Sequence, residues 1–104
     1  MISEQLKKTL VEKIKKVCSP VKIVLFGSFA YGQPGTESDL DIAIITKNDS
    51  TKFSESTLIW KSLKEIPYPK DIIVASAEEY EFYSKEAGSV FKTIHDKGLV
   101  LYAA

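Results

Sequence analysis

The sequence predicts an α/β domain, a small mixed β-sheet with helices packed against it. Three observations carry that expectation. Apolar residues recur at helical spacing in several stretches, short β-branched runs stand between them, and glycine, proline and Asn-Asp-Ser clusters mark the joints. Helical and strand patterns alternate along the chain, the arrangement that lets one sheet bury its faces under helices.

The elements follow in order. Leu6, Leu10, Ile14 and Val17 recur at intervals of four, four and three, which predicts an amphipathic helix over 3–18 ended by Ser19-Pro20. Val21 to Phe26 is mostly apolar and β-branched and reads as a strand buried on both faces. Gly27 stops it, and a polar, glycine-containing stretch runs from Ser28 to Ser38. Leu40 to Thr46 reads as a second buried strand with Asp41 as its charged intruder, and Asn48-Asp49-Ser50 as a turn. Ile59, Leu63 and Ile66 mark a helix from about Phe53 to Glu65, stopped by Pro67 and Pro69. Asp71 to Ala75 is a third strand. Ser76 followed by Glu79 has the form of a capping box that starts a helix over 77–85. Gly88-Ser89 breaks or re-caps that helix, and Val90, Phe91 and Ile94 carry a last stripe to Lys97. Gly98 suits a left-handed residue past a helix end, and Leu99 to Tyr102 a short closing strand.

Composition narrows the function classes. A chain of 104 residues, 44% hydrophobic and 27% charged, is expected to form one domain over 1–104 with a core of its own. No apolar run reaches the roughly 18 residues of a membrane span, and the first residues lack the basic-then-apolar pattern of an export signal. Cys18 is the single cysteine, which fits a reducing cytoplasm. Fourteen basic residues balance fourteen acidic ones, so binding of nucleic acid through bulk charge is not expected. All fourteen basic residues are lysine. Any bound phosphate must therefore be met by lysine, hydroxyls, backbone amides or metal ions, because no guanidinium fork exists.

Three features point to chemistry. At Phe26-Gly27-Ser28 a buried strand ends on a residue that lets the backbone turn sharply, and a hydroxyl follows, a fitting start for an anion-binding turn. An ordinary capped turn would look the same. In Asp39-Leu40-Asp41, residues i and i+2 of an extended chain project to one face about 6 to 7 Å apart, so their carboxylates can converge on ions while Leu40 points into the core. Asp71 opens the third strand. If that strand lies beside the one starting at Leu40, three carboxylates share one sheet edge, a hard-oxygen set that suits Mg²⁺ or Mn²⁺ and not zinc. Other phosphate motifs fail: Gly27 and Gly32 match a P-loop frame, but Gln33-Pro34 stands where Lys and Ser or Thr belong. His95 is read as a structural residue, and neither it nor Cys18 has local partners for nucleophilic catalysis.

Phe26-Gly27-Ser28, ten intervening residues, Asp39-Leu40-Asp41-Ile42 and a later strand headed by Asp71 together resemble the signature of nucleotidyltransferases with a DNA polymerase β-like fold. The small, single-domain minimal nucleotidyltransferases, related to kanamycin nucleotidyltransferase, are the branch most like it. The resemblance spans nearly the whole chain. It implies that Gly27 and Ser28 hold the β- and γ-phosphates of a nucleoside triphosphate, ATP above all. It further implies that Asp39 and Asp41 coordinate Mg²⁺ or Mn²⁺, and that Asp71 binds the catalytic metal and helps deprotonate an acceptor hydroxyl. In-line attack on the α-phosphorus would release pyrophosphate. Phe29 and Tyr31 stand where many relatives carry arginine.

Larger relatives carry a helical second domain that binds acceptor and nucleobase, for which this chain has no room, so a partner chain or a homodimer would complete the site. Members of the branch often act beside a helical HEPN-type protein as the antitoxin of a toxin–antitoxin pair. Some transfer AMP to a tyrosine of that toxin. The alternative is a binding module that blocks a helical partner, with Trp60, Tyr80 and Tyr83 as candidate interface aromatics. A free-standing nucleic-acid polymerase is disfavoured, since neither a basic stripe nor a primer-gripping domain is present.

Overall fold

Alternation along one strand organises this molecule: Leu40, Ile42 and Ile44 join one core cluster, and Ala43 joins another. A computed structural model describes residues 3–27, 39–47 and 52–104, with the backbone alone at 52–55. Its elements are α1 (Glu4–Val17), β1 (Pro20–Phe26), β2 (Leu40–Thr46), α2 (Lys52–Ser62), β3 (Lys70–Ser76), α3 (Ala77–Tyr83), α4 (Val90–Lys97) and β4 (Leu99–Ala103). The strands form a mixed sheet in the order β3-β2-β1-β4, in which β1 pairs antiparallel with β2 and β4 while β2 runs parallel to β3.

Helices cover both faces. On one, Leu10 and Ile14 of α1 and Ile59 of α2, with Leu63 beyond it, meet Ile23, Leu25, Leu40, Ile42 and Ile44. On the other, Ile94 of α4 meets Val24, Phe26 and Ala43, with Ile73, Tyr80 and Phe91 packed against them. Sealing both faces explains why β1 and β2 read as nearly continuous apolar runs.

Most of the expected boundaries hold within a few residues. Ser3 caps α1 by accepting from the Leu6 amide at 3.1 Å, and Pro20, which cannot donate to a ladder, takes the first position of β1. The capping box at α3 is present in full: Glu79 N–H donates to Ser76 Oγ at 3.0 Å, and Ser76 N–H to Glu79 Oε1 at 3.1 Å. Two helices stop early, α2 at Ser62 and α3 at Tyr83, with turns carrying the chain on. Gly98 corrects an expectation. Its φ of −69° and ψ of 153° are extended, not left-handed. Glycine is needed there because a Cβ would collide with the Ile94 carbonyl oxygen and Val24 Cγ1. The left-handed glycines among the described residues are Gly27 and Gly88, at φ 77° and 84°.

Candidate active site

β1 ends where β2 begins, so residues at that end of the sheet lie level with one another. Phe26 pairs with Asp41 across the antiparallel ladder, and Asp41 pairs with Asp71 across the parallel one. Paired residues share a face, and the flanking Val24–Ala43–Ile73 row belongs to the cluster under α3 and α4, so Asp41 and Asp71 project to that face. Asp39 stands two residues before Asp41, at the entry to β2. The condition the sequence sets, that the strand headed by Asp71 lies beside the one starting at Leu40, is met. Asp39 and Asp71 are exposed and Asp41 is partly buried.

The chain on both sides fixes this register. Leu40 N–H donates to the Pro69 carbonyl at 2.8 Å, starting the β2–β3 ladder one step before the two aspartates meet. Lys70 folds its ammonium back onto the turn before it, donating to the carbonyls of Ile66 and Tyr68, both at 2.8 Å. Those bonds hold the 66–69 approach from which Asp71 emerges. Nothing in the spacing Pro-Tyr-Pro-Lys signals that role, because a lysine before a strand is usually solvated.

Gly27 is built into the same corner. The sequence suggests a glycine for a sharp turn and close ligand approach. The structure adds a different neighbour, since the place a Cβ would occupy is taken by the Asp41 carboxylate. With φ at 77°, this is a position where side chains are disfavoured twice over. Ser28, the other expected phosphate contact, lies outside the described residues, as do Phe29, Tyr31 and the turn at 48–50.

Electrostatics agree with the geometry. Burial pushes the Asp41 carboxyl above the ordinary aspartate value, and the negative charges of Asp71 and then Asp39 push it the same way. A cation among the three would relieve that repulsion, and all three donors are hard oxygens. His95 lies on α4 and Cys18 just past α1. The donor chemistry thus fits Mg²⁺ or Mn²⁺ and not zinc. Among the described residues, no three acidic, histidine or cysteine side chains already stand close enough together to hold an ion. Asp41 and Asp71 are neighbours on one face, with Asp39 at the entry to β2.

Of the candidate interface aromatics, Trp60 and Tyr83 are exposed, whereas Tyr80 packs edge-on against Phe91 with ring centroids 6.1 Å apart. His95 is exposed and bonded to Asp96 at 3.2 Å. No described helix is long and apolar enough to cross a membrane.

Comparison with known proteins gives this arrangement a context. The family model described as polymerase beta, nucleotidyltransferase matches residues 4–102. Two solved structures share the fold. One is a toxin–antitoxin crystallised with AMP-PNP (TM-score 0.60, 17% identity, 94% of this chain and 73% of that one). The other is a doubly Asp-to-Glu mutant of the toxin–antitoxin MntA-HpeT (TM-score 0.58, 14% identity, with coverage of 94% and 73%). No curated protein sequence matches.

Proposed function

The chain belongs to the polymerase beta nucleotidyltransferase family, and from that premise we propose that it transfers a nucleoside monophosphate, AMP from ATP, to a hydroxyl acceptor. The observation that carries this reading is the side-by-side register of Asp41 and Asp71 on one face, with Asp39 two residues away and Gly27 against the Asp41 carboxylate. Asp39, Asp41 and Asp71 would hold divalent metal, Mg²⁺ or Mn²⁺. When bound, it neutralises charge on the entering and leaving oxygens. Gly27 and Ser28 would cradle the β- and γ-phosphates through backbone amides and the hydroxyl. Asp71, the more exposed member of the paired aspartates, is free to take the proton from the acceptor oxygen as that oxygen bonds to the α-phosphorus and pyrophosphate departs. Asp41 is held by β1 and β3 on either side, which presets the site geometry before substrate arrives.

In this reading, residues 1–104 act as one catalytic domain in the cytoplasm, and the acceptor is a helical HEPN-type protein or a second copy of the chain. The likeness to toxin–antitoxin structures supports a protein partner and an antitoxin role. The test is transfer of α-labelled phosphate from ATP to a co-expressed partner, with mass spectrometry for an added AMP. Addition by the wild type and none by Asp41→Asn supports the reading; equal labelling by both defeats it. Ligand at ten times its Kd contributes about 1.4 kcal/mol, so ATP with Mg²⁺ should also raise Tm by roughly 6 to 11 °C.

A second reading, a binding module without turnover, is favoured by one observation: Trp60 and Tyr83 are exposed aromatics of the kind found at protein interfaces. Neutralisation of the partner by the Asp39→Asn, Asp41→Asn double variant would select it.

A further inference from the structure

On the side of β3 away from the paired aspartates lies a second feature that the proposed reaction does not use. Ile59 and Leu63 are fully buried against the sheet, which leaves Trp60, Lys61 and Lys64 on the outer side. Together with Lys70 they line a recess of about 310 Å³ that no acidic side chain enters. Alternation along β2 and β3 puts Lys70, level with Leu40, on the opposite face from Asp41 and Asp71.

Three properties mark this recess. Some lysines elsewhere are paired, Lys7 with Glu4 at 3.0 Å, Lys13 with Glu65 at 3.8 Å and Lys92 with Asp96 at 2.8 Å. The side chains of Lys61 and Lys64 make no hydrogen bond or ion pair among the described residues, so two unpaired ammonium groups face a third that two carbonyls hold in place. The wall beside them is the chain's one tryptophan, 43% exposed. No lysine lies over its ring among the described residues, where the cation–π contacts join Lys15 to Tyr102 and Lys22 to Tyr80. An aromatic face beside unpaired positive charge is the combination that binds a stacked base with its phosphate.

We infer that the Trp60, Lys61, Lys64 and Lys70 recess is a nucleotide-binding site separate from the carboxylate corner, taking a base against the indole and its phosphate among the lysines. The unit bound is either a free nucleotide or one residue of a single strand, since both present the same base and phosphate.

Because Trp60 is the single tryptophan, intrinsic fluorescence reports this recess directly. The experiment titrates the full chain with AMP, a short oligodeoxyadenylate and inorganic phosphate, without divalent metal so that the carboxylate corner is not engaged. Saturable quenching by AMP or the oligonucleotide is expected; tighter binding of the oligonucleotide identifies a strand, and equal binding a free nucleotide. Lys61→Glu with Lys64→Glu should weaken binding at least tenfold. For the oligonucleotide it should also flatten the log–log salt dependence by about 1.4, two phosphate contacts at roughly 0.7 each. Trp60→Ala, read by anisotropy of a labelled oligonucleotide or calorimetry of AMP, should lose about 5- to 100-fold. Asp41→Asn should leave the quenching intact, which separates this inference from the proposed transfer reaction. No saturable quenching at millimolar ligand, quenching unchanged by the lysine variants, quenching abolished by Asp41→Asn, or an equal effect of inorganic phosphate would each overturn it.

Discussion

Replacing Gly27 with alanine probes the corner where the fold and the proposed chemistry meet. The backbone there sits at φ 77°, and an L-residue held in the left-handed region costs about 1–2 kcal/mol. The added methyl also meets the Asp41 carboxylate, which must turn away or displace β2, an overpacking penalty of about 1–3 kcal/mol. Gly88 separates the two contributions. Its φ of 84° is nearly the same, yet nothing lies within 4 Å of where its Cβ would stand. Gly88→Ala should therefore lose about 1–2 kcal/mol, and Gly27→Ala about 2–5. For a domain of this size these correspond to Tm losses of roughly 4 to 16 °C and 8 to 40 °C, read by circular dichroism. In the Gly27→Ala, Asp41→Ala double variant, the remaining contact to Asp41 Cβ is an ordinary 3.4 Å, so the extra loss should largely disappear as a coupling energy of about 1–2 kcal/mol. Equal losses for the two glycine variants, or no coupling to Asp41, would refute the claim that Gly27 is absent of a side chain to make room for that carboxylate.

Asp41→Asn should stabilise the fold while abolishing transfer. The folded state raises this carboxyl's pKa, so its ionisation destabilises the fold as pH rises past the ordinary value of 3.8 and through the folded one. At pH 7 the variant should gain on the order of 1 kcal/mol, from burial and then like-charge repulsion of a carboxylate that solvent still largely screens, and the gain should vanish as pH falls to that ordinary value. Thermal melts from pH 3 to 8 would show it, and an Asn variant less stable at pH 7 would contradict it. Lys70→Met removes two charge-assisted bonds to the Ile66 and Tyr68 carbonyls, and should lose about 1–2 kcal/mol with a matching fall in urea midpoint. Ser76→Ala breaks the reciprocal cap of α3 and should lose about 1 kcal/mol, checked by the same unfolding curves.

Much of the site's placement is legible because it depends on strand alternation and strand neighbours alone. Leu40 and Ile42 must face one core, which turns Asp41 to the other side, and a helix between two buried strands invites their parallel pairing, which brings Asp71 level with Asp41. The cap at Ser76 is local in sequence and so equally readable. Contacts between distant segments are not. That Gly27 yields its Cβ space to Asp41, or that Gly98 is glycine because of Val24 and the Ile94 carbonyl, depends on how closely the backbones pack. The left-handed expectation at Gly98 fails for that reason: the helix end looks like a standard glycine stop, but β4 must begin at the next residue, and an extended glycine leads directly into it. Lys70 is likewise silent in the sequence, because its partners are carbonyls that any residue could supply. Tyr80 shows the same limit, as its exposure depends on where α4 lands.

The central claim is that residues 39, 41 and 71 jointly form a divalent-metal site for a nucleoside triphosphate. Titration of Mn²⁺ in the presence of ATP, followed by the paramagnetic signal of the free ion, tests it across the wild type and the three single Asp→Asn variants. The account predicts saturable uptake by the wild type and at least a tenfold loss of affinity for each of Asp39→Asn, Asp41→Asn and Asp71→Asn. Uptake by Asp71→Asn equal to that of the wild type, or none by the wild type itself, would contradict it.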